Sequence, residues 1–305
     1  TPAAVLRKIN RIPQWTIPLE STALTAAIDV QGKALYWMTC AWSPGFSGDV
    51  VAYGAHPDQG RPYFTLHEIE RTIEKTHPGV PFDAALYASL DELLGFLCDR
   101  EWQREGGGVM RVQRVLIDAG WGSSTDTIYQ FARRSRHAAL VLPYFGRTVV
   151  PGATPMSEWK RKPGERMGLN WRIPKPTGGA TRHVLADANW WKSHAADRVL
   201  APPGASASLG LYGSSASVHR MLADHLSAEI RTRISANGRT SDRWDVKPNA
   251  DNHLLDTLAM NCISASIEGI ALDPKAVPRE RQRTQDELEP MASAASLAAF
   301  NTTLL

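Results

Sequence analysis

The run LTAAIDV at 24–30 contains one charged residue, Asp29, among seven. A run this short and this apolar reads as a strand buried on both faces, as in the middle of a covered sheet. Gln31-Gly32 follows as a turn, and ALYWMTCAW at 34–42 is a second, longer apolar run, so the two read as a hairpin. DVVAYG at 49–54 reads as a third strand. A carboxylate inside such a run is costly and needs a reason.

The rest of the chain alternates. SLDELLGFLCDREWQRE at 89–105 predicts a helix, with Ser89 and Glu92 as a capping box and Gly106 to Gly108 as its stop. VQRVLID at 112–118 predicts a strand ending in Asp118. The turn AGWGSS, a helix from Ser124 or Thr125 to about Arg136, and a strand at 138–146 come next. RHVLAD at 182–187 reads as a strand and 188–200 as a short helix. SVHRMLADHLSAEIRTRI at 217–234 reads as another helix, and a strong one runs from about Asp251 to Glu268. This order predicts an α/β fold: a mixed sheet with helices on both faces.

With 305 residues the chain can bury a large core without staples. Its three cysteines, Cys40, Cys98 and Cys262, are scattered and form no CxxC pair, which argues against a disulfide framework and a structural zinc site. No apolar run approaches ~18–20 residues, so no membrane-spanning helix is expected, and no secretory signal opens the chain. The net charge of +3 names no partner, but the charge is unevenly spread. Between Arg147 and Lys175 seven basic residues face two acidic ones, in a Pro- and Gly-rich insert at 147–181. That stretch reads either as a solvated loop or as a flap whose Lys160, Arg161, Lys162, Arg166 and Arg172 contact nucleic-acid phosphates. Residues 1–20, with Pro2, Pro13 and Pro18, read as a linker, and 273–305 as a flexible tail, leaving a domain at 21–272.

Three carboxylates stand where carboxylates are expensive: Asp29 near the end of the first strand, Asp118 at the end of a later one, and Asp256 among Leu254, Leu255 and Leu258 in the last helix. Gathered on one point they would repel one another unless a cation neutralised them, and an all-oxygen site of this kind suits Mg²⁺ or Mn²⁺. Two such ions can activate a water and stabilise the leaving oxygen of a phosphodiester. His253 shares a helix face with Asp256. It reads either as a capping histidine or as a catalytic group that ligates metal, orients water or touches a phosphate. Asp251 reads as a dipole-favoured N-terminal acid or as an outer metal ligand. No GxxxxGK[ST], GxSxG or HExxH motif is present.

The order L-T-A-A-I-D-V-Q at 24–31, I-D-A-G-W-G-S-S-T at 117–125, I-Y-Q-F at 128–131, L-S-A-E at 226–229, Trp244, and D-N-H-L-L-D at 251–256 resembles the nuclease half of the phage terminase large subunit of the GpA (lambda-like) type. The resemblance covers roughly 20–270. It implies a ribonuclease H-like fold and a metal-dependent endonuclease that cuts concatemeric double-stranded DNA during packaging in the host cytoplasm. It also implies a preceding ATPase domain, a terminase small subunit, and a portal or procapsid as partners. The family's strand and helix acids fall on Asp29, Asp118 and Asp256. Two rival readings are a Holliday-junction resolvase or strand-transfer enzyme on the same fold, and a catalytically silent DNA-binding or portal-docking module.

Overall fold

A computed structural model describes residues 1–272. The expected tail at 273–305 lies outside the described residues. Nine strands make the main sheet: β1 (Ala23–Val30), β2 (Leu35–Ser43), β3 (Ser47–His56), β4 (Arg114–Asp118), β5 (Val141–Arg147), β6 (Arg166–Gly168), β7 (Trp171–Ile173), β8 (Val184–Asp187) and β9 (Leu209–Leu211). Their order across the sheet is β9-β3-β2-β1-β4-β5-β8-β7-β6. Among the central five, β3-β2-β1-β4-β5, only β2 runs against the others. The sheet is mixed, as the order of elements predicts. All eight residues of β1 are buried, as its unbroken apolar run requires of a strand covered on both faces.

Five longer helices cover those faces: α1 (Phe82–Cys98), α2 (Thr125–Arg134), α3 (Ala188–Leu200), α4 (Arg220–Leu226) and α5 (His253–Ile267). The strand period of two sorts the core into two layers. Leu24, Ala26, Ile28, Val115 and Ile117 face Leu86, Leu90 and Leu94 of α1 and Ile128 and Phe131 of α2. The alternate residues, Ala27, Met38, Trp42, Leu116 and Leu142, face Trp191 of α3, Leu222 of α4 and Leu254, Leu258 and Cys262 of α5. Among the described helices none is long and apolar enough to cross a membrane.

Helix α5 is nearly enclosed. Of its fifteen residues only Asp256 and Ser266 are not buried. A polar network fixes it against the sheet. The Trp42 indole N–H donates to Thr25 Oγ1 at 2.8 Å, the Thr25 hydroxyl donates to Asn261 Oδ1 at 2.8 Å, and the Asn261 amide donates to Met38 O at 3.1 Å and Thr257 O at 3.0 Å. Each side-chain polar atom of this network finds a partner, which a buried network must do to be tolerated.

Three expectations are corrected. The helix expected at 89–105 begins at Phe82 and ends at Cys98. Ser89 therefore lies mid-helix, buried and 3.1 Å from His77 Nε2, and Glu92 pairs with His56 at 3.2 Å, so no capping box forms. The helix expected at 217–234 ends at Leu226, and 229–246 form a hairpin of β10 (Glu229–Ala236) and β11 (Arg239–Val246). Its turn is Asn237-Gly238, both with positive φ (52° and 72°), the pair that a two-residue hairpin turn prefers. Residues 1–20 are folded onto the domain rather than solvated: Val5 and Ile17 are buried, and the buried Lys8 amine donates to Ala201 O at 2.6 Å and to Ser208.

Asn261→Ala leaves the Thr25 hydroxyl without its acceptor and removes the amide donor to the Met38 carbonyl in the core. The expected cost is about 2–3 kcal/mol, read as a lower urea midpoint with an unchanged slope.

Candidate active site

Asp29 is the seventh residue of β1 and Asp118 the last of β4. The two strands are parallel neighbours with Ile28 paired to Ile117, so one residue further on the two aspartates come level. Two residues back, Ala27 and Leu116 both face the α5 layer of the core, and the period of two sends Asp29 and Asp118 to that same side. Helix α5 runs against these strands. Glu268, just past its end, pairs with Arg114 at the start of β4 at 2.7 Å, while His253 in its first turn lies 2.8 Å from Asp29. Asp256, also in the first turn, is thereby brought to the carboxyl ends of β1 and β4.

Each carboxylate is held differently. Asp29, 4% exposed, accepts from Gln31 Nε2 at 2.9 Å and lies 2.8 Å from His253 Nδ1. Asp118 accepts the Gly120 N–H at 3.1 Å. Burial pushes the Asp118 pKa up to about 7, and the charges of Asp29 and Asp256 push the same way. Asp256 accepts from Lys192 Nζ at 2.8 Å and from Asn252 Nδ2 at 2.9 Å. Partial burial raises its pKa to about 6 against the opposing pull of Lys192, with Asp29 adding to the rise. The Asp29 and Asp256 charges act on Asp118, and the Asp29 charge on Asp256, so the three acids share one electrostatic site.

Lys192 on α3 is the cation already present. Its ammonium lies between Asp256 and the fully enclosed Glu229 carboxylate, and Asn252 also donates to Glu229, at 2.6 Å. Burial opposes the Lys192 charge, but Asp256 and Glu229 hold its pKa above the ordinary lysine value. The His253 ring stacks on Tyr36 with centroids 4.5 Å apart. Burial disfavours the imidazolium, yet Asp29, Asp251 and Asp256 outweigh it and raise the His253 pKa.

The structure thus brings Asp29, Asp118, Asp256 and His253 together. Asp251 stands behind them: it accepts the Leu66 N–H at 2.6 Å and lies 3.9 Å from His253 Nε2. Lys160, Arg161, Lys162 and Arg166 are exposed. Arg166 donates to Ile267 O at the end of α5, eleven residues past Asp256, or about 16 Å along the helix. The Arg166 guanidinium is therefore at the far end of α5 from Asp256. Arg172 is corrected. It is 4% exposed, pairs with Glu165 at 3.0 Å and donates to the carbonyls of Trp159 and Lys160, so its guanidinium cross-links the insert and is not free for a phosphate. Sequence reasoning missed Lys192 and Glu229. Nothing local marks either one, because their contact spans 37 positions.

Among the described residues, no group of three or more His, Cys, Asp or Glu side chains stands ready to hold a metal ion. The donor chemistry nevertheless suits one. Asp29, Asp118 and Asp256 offer only oxygens, and burial and like charge, which raise the pKa of Asp118 and Asp256, are the penalties a hard divalent cation relieves.

A search of the curated proteins finds no match. Among solved structures, the chain is similar to a mutant nuclease domain of the large terminase subunit gp2 of bacterial virus Sf6, determined with manganese. Sequence identity is 11%, the match covers 79% of this chain and 88% of that one, and the TM-score is 0.40. The family described as terminase large subunit gpA, endonuclease domain, matches residues 2–277. With the strand order and the strand-end acids in place, that match over most of its length makes this chain a member of the gpA terminase endonuclease-domain family.

Proposed function

We propose that the chain is a divalent-cation-dependent endonuclease that hydrolyses phosphodiester bonds of concatemeric double-stranded DNA during phage packaging. The observation that supports this best is the level placement of Asp29 and Asp118 on adjacent parallel strands, facing Asp256 on α5. These three are the carboxylates that would hold Mg²⁺ or Mn²⁺, as two ions. Bound there, the cations supply charge neutralisation at the scissile phosphate and activation of the attacking water.

The chain's own groups prepare that site. His253, locked by its stack on Tyr36, fixes one oxygen of Asp29. Lys192 fixes one oxygen of Asp256 and offsets part of the negative charge. Gly120 N–H fixes one oxygen of Asp118. Lys160, Arg161, Lys162 and Arg166 would hold backbone phosphates away from the cut, contacts that position a duplex without reading its sequence. The terminase small subunit and the portal of the procapsid are the partners proposed, and the host cytoplasm the place of action.

Supercoiled plasmid incubated with Mn²⁺ should be nicked and linearised by the wild type with little sequence preference. Asp29→Ala, Asp118→Ala and Asp256→Ala should each lower the rate by at least about 100-fold while retaining plasmid binding in EDTA. Equal cleavage by wild type and Asp118→Ala overturns the assignment. Faster cutting of a four-way junction than of linear duplex would point instead to a resolvase.

A stability measurement checks the acidic cluster independently. The Asp118 pKa is raised in the fold, so its ionisation destabilises the folded state as pH climbs from about 4 through about 7. Asp118→Asn removes that penalty. In EDTA the variant should be more stable than wild type at pH 8, by about 1–2 kcal/mol after allowance for partial solvent screening, with the advantage shrinking towards pH 5. Identical denaturation midpoints at pH 8 would show that neither burial nor the neighbouring acids penalise the Asp118 charge.

A further inference from the structure

Trp121 is the most exposed of the ten tryptophans, at 40%. It stands three residues past Asp118, in the loop that leaves β4. Its ring is not loose. Ser124 pins the Trp121 carbonyl with both its backbone N–H and its hydroxyl, each at 2.9 Å, and Thr125 Oγ1 donates to Ala119 O at 2.8 Å. The indole packs edge-to-face on Phe82, with centroids 5.7 Å apart at 86°. It also lies over Gly32, in the turn that leaves β1, where a Cβ would come within 3.4 Å of its Cη2. The ring thus spans the two loops that follow Asp29 and Asp118, held at an edge by Phe82 and still open to solvent.

We propose that Trp121 is a stacking platform for a nucleobase of the strand being cut, and that it makes the site favour DNA with an unpaired nucleotide beside the scissile phosphate. This rests on the nuclease reading above. An indole face is the surface on which a base of any sequence stacks. Inside a duplex both faces of a base are covered by its neighbours. A base can reach Trp121 only when it is unstacked, which costs least where it is already unpaired.

The test measures binding in EDTA. Two duplexes of equal length are compared, one fully paired and one with a two-nucleotide bubble containing 2-aminopurine. Wild type should bind the bubble more tightly and quench its fluorescence. Trp121→Leu, which keeps an apolar contact for Phe82 but has no flat aromatic face, should bind the bubble about ten-fold more weakly, lose the quenching and bind paired duplex as before. Trp121→Phe should restore much of both signals. No bubble preference in wild type, or the same preference in Trp121→Leu, overturns the proposal. Plasmid nicking by the same wild-type preparation separates the two readings: a Trp121-dependent bubble preference without nicking would sink the nuclease assignment and leave the platform standing.

Discussion

Parallel pairing of β1 with β4, in the register that sets Ile28 beside Ile117, is the constraint on which the site depends. A slip of one residue in either strand would turn its aspartate towards α1 and α2, away from Asp256. The register is protected by the core rather than by the site. Leu24, Ala26, Ile28, Val115 and Ile117 must fill one layer, and Ala27 and Leu116 the other. Packing thereby does the aiming, and the carboxylates need no contacts of their own to find one another.

The outcome is electrostatically expensive. Asp118 and Asp256 are held where burial and neighbouring charge favour their neutral forms. The fold lessens this strain with an internal cation, Lys192, which must satisfy Asp256 and the enclosed Glu229 together. Because Glu229 opens the β10–β11 hairpin, an element outside the main sheet contributes to the charge balance of the acids. The hairpin is also tied to the insert through Arg239 and Glu158 at 2.9 Å, so separate ion pairs join it to the insert and, by way of Lys192, to Asp256.

Much of this was legible in the sequence because costly residues betray themselves. Asp29 in an apolar run, Asp118 before a Gly-rich turn and Asp256 among leucines each broke a local rule, and the structure brings them together. The central strands were legible because a buried run has no other good reading. The helix at 82–98 was misplaced because Ser89 and Glu92 imitate a cap, while the true start at Phe82 follows a proline and carries no capping side chain. The 229–246 hairpin was misread because Met221, Leu222, Leu226 and Ile230 continue a helical spacing. Asn237-Gly238 was the stronger signal, and Ile230 is in fact exposed. Lys192 and Glu229 could not be found, since an ion pair between distant segments leaves no local pattern. Arg172 was misassigned because a charge count does not report burial.

The near-complete enclosure of α5 has an evolutionary consequence. In many enzymes the reactive groups sit on loops that can drift while the scaffold stays put. Here one helix is both the keystone of a hydrophobic layer and the bearer of Asp256, with no free face on which to absorb change. A substitution that repacks Leu258 or Cys262 also moves a carboxylate. With Asp256 in the role proposed for it, selection on folding and selection on chemistry act on the same fifteen residues, and a lineage that lost one would have little freedom to keep the other.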